Sequence, residues 1–259
     1  SILKDNAYTG FIIRDEKVIN SDKSGYINFF ALEGSKVGAK TCVYTLSDSK
    51  LDLESTTSSD AKALSSEEQQ AVYMKIQSYV DGFEERKFSD VYNLKDNVSS
   101  TLLNQDSQEK QKQLTSLASD NKSGVQLCYA ASDGVILYSI DGYEDVTADT
   151  VTEAMISKDG YKSTTIQDNT KITAGTPIYK VVADYDWKIA ILGSDDSAKE
   201  LKEENSVKVQ FPENDEVIWA EVSLKKSGNT NIAILSFDNS MVSFDASRYT
   251  DLELITTDE

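Results

Sequence analysis

The chain has no histidine, and it has only two cysteines among its 259 residues. Because histidine is the commonest metal ligand and the usual general base near neutral pH, its absence excludes Ser-His-Asp and Cys-His catalytic mechanisms. Cys42 and Cys128 are too few for a disulfide scaffold and do not have the Cys-x-x-Cys spacing of metal and redox sites. We therefore expect two buried free thiols, with a disulfide between Cys42 and Cys128 as the alternative.

Basic residues are scarce relative to acidic ones. The chain has 26 Lys and Arg against 44 Asp and Glu, which gives a net charge of −18. A surface of this sign repels phosphate backbones and anionic lipid headgroups. Nucleic acid is therefore not expected as a partner, and the charge suits a soluble domain outside the cytoplasm.

Long apolar runs are also missing. No stretch approaches the roughly 20 apolar residues that a membrane-spanning helix needs, and residues 1–10 (SILKDNAYTG) lack the basic and apolar regions of a signal peptide. Because the chain starts at Ser1 without methionine, we expect an excised ectodomain whose N-terminal membrane anchor lies outside this sequence.

Two similar phrases of sequence stand far apart in the chain. GSKVGAKTCVY (34–44) and TKITAGTPIY (170–179) each place a β-branched residue before a turn and then a short apolar strand that ends in tyrosine. A second match precedes each phrase, SGYINFF (24–30) before the first and DGVILYS (133–139) before the second. The pattern predicts one β domain in two halves with an insertion between them.

The insertion has the periodicity of helices. Ser65 and Glu68 form a capping box, and the apolar residues after them recur three or four positions apart. The members of this stripe are Val72, Ile76, Tyr79, Val80 and Phe83, and those of a second helix are Val91, Leu94, Val98 and Leu102. The spacing predicts an antiparallel coiled-coil hairpin over 61–123.

The C-terminal part alternates short strands with turns, which predicts a small β-barrel over 183–259. Strand 8–14 could join this barrel, which could also be incomplete at its C-terminal end. A short helix is predicted over 146–156, with Thr147 as its cap.

A split β domain around a helical hairpin, followed by a small barrel, resembles the membrane fusion or periplasmic adaptor proteins of the haemolysin-secretion adaptor superfamily. EGSKVGAKTCVYTL (33–46) and ITAGTPIYKVV (172–182) look like the two lipoyl-like half-motifs of this family. WKIAILGSDDSAKELKEENSVKVQF (187–211) is similar to its barrel segment. Residues 82–102 and 141–156 look closer to a branch found in Gram-positive bacteria.

The resemblance implies a mainly β fold class with an α-helical hairpin. Its parts would be a split lipoyl-like (barrel-sandwich hybrid) domain over 10–50 and 124–182, the hairpin, and the barrel. It also implies a non-enzymatic extracytoplasmic adaptor of an efflux or export system without a cofactor, which braces an ABC-type permease. Such a protein would sit at the cell surface of a Gram-positive bacterium and could self-associate into a ring or dimer.

The tip of the hairpin is the expected partner site. Its residues are Glu84, Glu85, Arg86, Lys87 and Phe88, where the aromatic ring and the cations are residue types that carry binding energy when buried. In the alternative interpretation, Phe88 only closes the turn. The Arg, Leu and Ser spacing by which Gram-negative adaptors dock on an exit duct is not met, because the leucine after Arg86 is Leu94.

Other functions are less consistent with these residues. A lipoyl or biotinyl carrier needs an exposed lysine between the half-motifs, where this chain has the insertion. The acid pairs Asp195–Asp196 and Glu203–Glu204 suit helix caps and solvated surface rather than catalysis, and no D-x-D-x-D-G calcium loop is present. A cell-envelope scaffold or adhesion protein without a transport role remains the alternative function.

Overall fold

The computed structural model describes residues 7–53, 107–120, 122–183, 186–203, 205–212, 216–238 and 247–255. Fourteen strands lie in these ranges: β1 Ala7–Ile13, β2 Glu16–Asn20, β3 Gly25–Phe29, β4 Lys36–Val37, β5 Cys42–Ser47, β6 Val125–Tyr129, β7 Gly134–Leu137, β8 Thr170–Ile172, β9 Pro177–Val182, β10 Trp187–Gly193, β11 Ser206–Phe211, β12 Glu216–Ser227, β13 Thr230–Phe237 and β14 Tyr249–Ile255. The helices there are α1 at 107–119, α2 Glu153–Ile156 and α3 Asp195–Glu203.

Six strands close into a barrel in the order β1-β10-β13-β12-β11-β14. The burial pattern of β11 is typical of a barrel strand. Val207, Val209 and Phe211 are buried, while the residues between them are partly exposed. This period of two is expected of a strand that packs one face in a core. Inside the barrel, Trp187 stacks on Phe237 with ring centroids 4.1 Å apart. The predicted barrel is therefore present, and β1 is one of its strands.

Eight strands form two four-stranded sheets, ordered β2-β9-β7-β4 and β6-β5-β3-β8. The two orders are related by a pairwise exchange of strands. The first order becomes the second when β2 and β6, β3 and β7, β4 and β8, and β5 and β9 exchange places. The sequence repeat thus corresponds to an internal two-fold arrangement, in which each sheet takes strands from both halves. The tyrosines that end the two phrases, Tyr44 and Tyr179, are buried together with ring centroids 6.2 Å apart.

The insertion leaves and re-enters the sandwich through neighbouring strands. Ser47 at the end of β5 is paired with Val125 at the start of β6. Helix α1 leads back to this point, and its Leu114 is fully buried. Most of the predicted hairpin, including its first helix and its tip, lies outside the described residues.

The segment between β7 and β8 crosses to the barrel and covers part of its outer face. Val151 and Ile156 are buried in a third apolar cluster, against Phe11, Ile232 and Ile234 of the barrel. The short helix predicted over 146–156 is wrong in its extent. Helix α2 starts only after its N-cap Thr152, because the carbonyls of Ala148, Asp149 and Val151 bind the Lys225 ammonium at 2.9, 2.8 and 3.0 Å.

Candidate functional site

Helix α1 is held against the sandwich by polar contacts at its first turns. Gln111 Nε2 donates to the carbonyl of Phe30 at 2.6 Å, and Lys110 forms a salt bridge with Asp168. Asp168 in turn accepts the Phe29 amide at 2.8 Å. These bonds connect the returning helix to the loops after β3 and before β8, so they fix the direction of the helix relative to the sheets.

Beside these contacts lies a groove of about 270 Å³, which we call the base groove. It is lined by the loop after β3, the first turns of α1, Tyr138, and the loop before β8: Phe29, Phe30, Ala31, Leu32, Glu33, Ser107, Lys110, Tyr138, Thr165, Ile166, Gln167 and Asp168. The rings of Phe29 and Tyr138 pack with centroids 4.0 Å apart. The groove therefore combines an aromatic wall with two carboxylates.

Tyr138 is fixed by two hydrogen bonds. Its hydroxyl donates to the carbonyl of Ala31 at 2.6 Å, and its amide donates to Glu33 Oε1 at 2.9 Å. Burial raises the pKa of the Tyr138 hydroxyl above its ordinary value, and the negative charges of Glu33 and Asp168 raise it further. The Tyr138 hydroxyl therefore stays protonated. The negative charges of Glu33 and Asp168 lie close enough to influence the part of the groove that Tyr138 lines.

A second polar feature joins the sandwich to the barrel. We call it the junction cluster, and it consists of three cations and three carboxylates: Arg14, Lys180, Arg248, Glu16, Asp141 and Glu144. Arg14 lies between β1 and β2, Arg248 immediately precedes β14, and Asp141 and Glu144 belong to the segment that crosses to the barrel. All six side chains are at most 8% exposed.

Glu16 is the centre of the junction cluster. Its carboxylate meets Arg14 Nε at 2.6 Å, Arg248 Nη2 at 2.7 Å and Lys180 Nζ at 3.0 Å. Burial alone would raise the pKa of Glu16, but the three cations lower it below the ordinary value. Buried carboxylates need this degree of pairing, because an isolated charge in a protein interior costs several kcal/mol.

Asp141 completes the connection to the barrel. Arg248 Nε and Nη2 donate to its two oxygens at 2.8 and 3.0 Å, a bidentate geometry that favours the carboxylate form. Burial opposes ionisation, yet the bonds from Arg248 and the charge of Lys180 lower the pKa of Asp141 to about 2. This cluster and the third apolar cluster therefore connect the barrel to the sandwich.

An exposed apolar pair marks the outer face of the barrel. Trp219 and Val217 on β12 are 53% and 49% exposed, and the Lys208 ammonium lies 5.2 Å from the centre of the Trp219 ring. Exposed tryptophan on a rigid strand is a residue type that recurs at protein interfaces.

The predicted partner residues Glu84, Glu85, Arg86, Lys87 and Phe88 lie outside the described residues. The structure does describe Asp195 and Asp196, which are exposed at the start of α3. Within the described ranges, no group of three or more Cys, Asp or Glu residues could hold a metal ion. None of the described helices is long and apolar enough to cross a membrane.

Both cysteines are free thiols, but only Cys42 is buried as expected from the sequence, whereas Cys128 is partly exposed. Cys42 lies opposite Tyr129, Cys128 lies opposite Tyr44, and a bulge separates the two pairs. Burial raises the pKa of Cys42 to about 11, so its thiolate is scarce near neutral pH. The alternative of a disulfide between them is not what the structure contains.

Sequence reasoning missed the base groove and the junction cluster. Lys180 is the clearest example, since it interrupts the apolar run PIYKVV and is nevertheless only 1% exposed. A lysine inside an apolar strand was the sequence signal that could have indicated a buried ion pair. The carboxylates that neutralise it, Glu16, Asp141 and Glu144, come from two other parts of the chain, which no local pattern brings together.

Comparison with known proteins matches two domain descriptions to the chain. The description "RND related, barrel-sandwich hybrid domain" matches residues 16–183, and "RND related, beta-barrel domain" matches residues 187–258. A search of curated proteins found no match.

Several solved structures are similar to this chain at low identity. ZneB from Cupriavidus metallidurans is 12% identical, with a TM-score of 0.46 over 96% of both chains. The periplasmic adaptor protein EmrA is 13% identical, with a TM-score of 0.46 over 97% of this chain and 99% of its own. The membrane fusion protein Spr0693 from Streptococcus pneumoniae R6 is 12% identical, with a TM-score of 0.34 over 98% of this chain and 100% of its own.

The predicted resemblance is confirmed at the level of the family descriptions, which give an RND-related barrel-sandwich hybrid domain and a related β-barrel domain. The assignment to a Gram-positive branch stays a prediction. Since the model of the barrel-sandwich hybrid domain spans more than half of the chain, the protein belongs to the family of RND-related proteins with a barrel-sandwich hybrid domain, here followed by the related β-barrel domain.

Proposed function

We propose that the protein is a non-enzymatic adaptor subunit of an efflux or export system, which braces an ABC-type transporter on the extracytoplasmic side of the membrane. An N-terminal segment outside this sequence would anchor it, and the cell surface of a Gram-positive bacterium is the proposed location. The observation that carries the proposal is the position of the insertion between the paired strands β5 and β6 of a two-fold sandwich.

This position suits a brace for a mechanical reason. A hairpin whose two ends entered through neighbouring strands would be fixed at its base at two points, and this would give its far end a defined direction. The salt bridge between Lys110 and Asp168 and the bond from Gln111 to Phe30 add to that fixation. Buried ion pairs then connect the sandwich to the barrel, so a load on the hairpin is transmitted to the barrel.

The hairpin tip remains the proposed docking surface for the partner. Phe88 would be the apolar anchor, with Arg86 and Lys87 as cations and Glu84 and Glu85 beside them. Self-association into a ring or dimer would place several tips around one conduit. The exposed Trp219 on the barrel is a second proposed contact, for the part of the transporter that lies nearer the membrane.

Crosslinking and co-purification of the full-length protein from its native cells, followed by mass spectrometry, tests the proposal. We expect a transporter permease in stoichiometric amount. Recovery of wall or division proteins without any transporter would favour the alternative, an envelope scaffold or adhesion protein. For the tip, Phe88→Ala combined with Arg86→Ala should reduce capture of the partner, while Lys122→Ala at the exposed foot of the insertion should not.

A further inference from the structure

The base groove is small and partly open. Its volume of about 270 Å³ lies just below the usual range of ligand pockets, which is roughly 300 to 1,000 Å³. An occupant would therefore consist of one ring or a short chain with a compact head. Phe30 and Leu32, the latter 38% exposed, provide apolar surface at its opening.

The charges of the lining favour a cation. Glu33 and Asp168 are carboxylates and Lys110 is the cation among the lining residues, so the sum is one negative charge. The Lys110 ammonium is already engaged by Asp168, whereas Glu33 is exposed and uses Oε1 for the Tyr138 amide. A cation entering the groove would therefore meet the Glu33 carboxylate, and an anion would be repelled.

The aromatic wall favours the same charge. Phe29 and Tyr138 pack on each other with ring centroids 4.0 Å apart, and Tyr138 is only 7% exposed, so the partly exposed Phe29 ring supplies most of the aromatic surface that can attract a cation within about 6 Å of its centre. An inorganic ion fits less well, because the described residues contain no group of three or more metal-ligating side chains. A weakly hydrated organic cation can use the rings and the carboxylate together.

We propose that the base groove binds a small organic cation with an apolar body, such as a quaternary ammonium group attached to an aromatic ring. Glu33 neutralises the cationic head, Phe29 and Tyr138 contact it through their rings, and Leu32 and Ile166 cover the apolar body. This site is independent of the adaptor role, since a groove that binds such molecules could exist in a scaffold protein as well.

Titration of the full chain with benzyltrimethylammonium, followed by two-dimensional amide NMR, tests this site. We expect saturable shifts confined to the loops 29–33 and 165–168. N,N-dimethylbenzamide, which is neutral and similar in size, and phenylacetate, which is anionic, should bind clearly more weakly. Equal binding of the neutral probe, or an absence of saturable shifts with the cation, would overturn the proposal.

Two variants connect the binding to the carboxylates. Glu33→Gln keeps an oxygen for the Tyr138 amide and removes the charge, so it should weaken the cation about three- to fivefold, the size of one partly exposed charge pair. Asp168→Asn keeps an acceptor for the Phe29 amide and should also weaken it. Asp159→Asn, an exposed acid on the segment that crosses to the barrel, is the matched control. Unchanged affinity in both groove variants, or an equal loss in the control, would refute the assignment.

Discussion

Arg248 and Asp141 are separated by 107 positions in the sequence and meet in two hydrogen bonds of 2.8 and 3.0 Å. Arg248 immediately precedes the barrel strand β14, whereas Asp141 follows the sandwich strand β7. Their pairing is nearly excluded from solvent, with 1% and 3% of the side chains exposed. The pair connects the two β domains, and its removal should show how strongly they depend on each other.

Replacing Arg248 by methionine leaves Asp141 and Glu16 buried with fewer cations. We expect Arg248→Met to lower the free energy of unfolding by about 3–5 kcal/mol, the usual cost of breaking a buried ion pair. Urea unfolding monitored by tryptophan fluorescence measures this, because Trp187 lies inside the barrel. Lys226→Met, at an exposed position of β12, should change stability by less than about 0.5 kcal/mol. Similar effects of the two variants would contradict the structural role of the cluster.

The stability contributed by Asp141 should disappear in acid. The pKa of this group falls from its ordinary value of 3.8 to about 2 in the folded chain, so its contribution is complete above about pH 4 and is lost as the pH falls through about 2. Asp141→Asn should cost about 2 kcal/mol at pH 7. The difference in the free energy of unfolding between Asp141→Asn and the unmodified chain should shrink when it is measured toward pH 2. An equal difference at pH 7 and near pH 2 would contradict this contribution of the Asp141 carboxylate.

Gly10 should not tolerate a side chain, although its backbone is an ordinary strand. A Cβ atom at this position would lie 2.2 Å from Ile189 Cγ2 and 2.9 Å from Leu252 Cδ2 inside the barrel. We expect Gly10→Ala to destabilise by about 1–3 kcal/mol, as overpacked cores do. Gly193→Ala on β10 is the matched control, because nothing lies within 4 Å of a Cβ atom there. Thermal unfolding of the two variants should separate them, and equal melting temperatures would show that the barrel can adjust.

Lys225 should hold the crossing segment on the barrel. Its ammonium binds three carbonyls of residues 148–151, so Lys225→Met leaves those acceptors without their donor. A cost of about 1–3 kcal/mol is expected, together with faster amide hydrogen exchange over 146–156. Exchange in the sandwich core should change much less. Lys226→Met, the neighbouring exposed lysine, should leave exchange over 146–156 as it was, and protection that survives in Lys225→Met would refute this role.

The elements that the sequence predicts well are those whose signal is local. The repeated phrases at 34–44 and 170–179 became β4–β5 and β8–β9, and the alternation in VKVQF became β11. The start of helix α2 was predicted too early, because threonine at 147 is a good cap in isolation, whereas the carbonyls that follow it bind Lys225 instead. A rule based on neighbouring residues does not detect Lys225, which is distant in the sequence and binds these carbonyls.

The candidate sites show the same limit more strongly. Lys180, Glu16 and Arg248 come from three separate regions, and each alone would be interpreted as exposed charge. The base groove likewise needs Glu33, Lys110 and Asp168 to converge from three loops and helix ends. The tip residues 84–88, in contrast, were chosen from their position at the predicted turn of the hairpin and from their residue types, and their role stays a prediction.

The amino-acid sequence by itself determined that this is a two-fold β sandwich with an insertion and a barrel, because strand period, turn residues and an internal repeat are written in neighbouring positions. Only the tertiary structure decided which charged residues are buried, which of them pair across the two domains, and where a groove opens. Those outcomes depend on the free energy of desolvation and on pairing between distant residues, and both exist only after the sheets have packed.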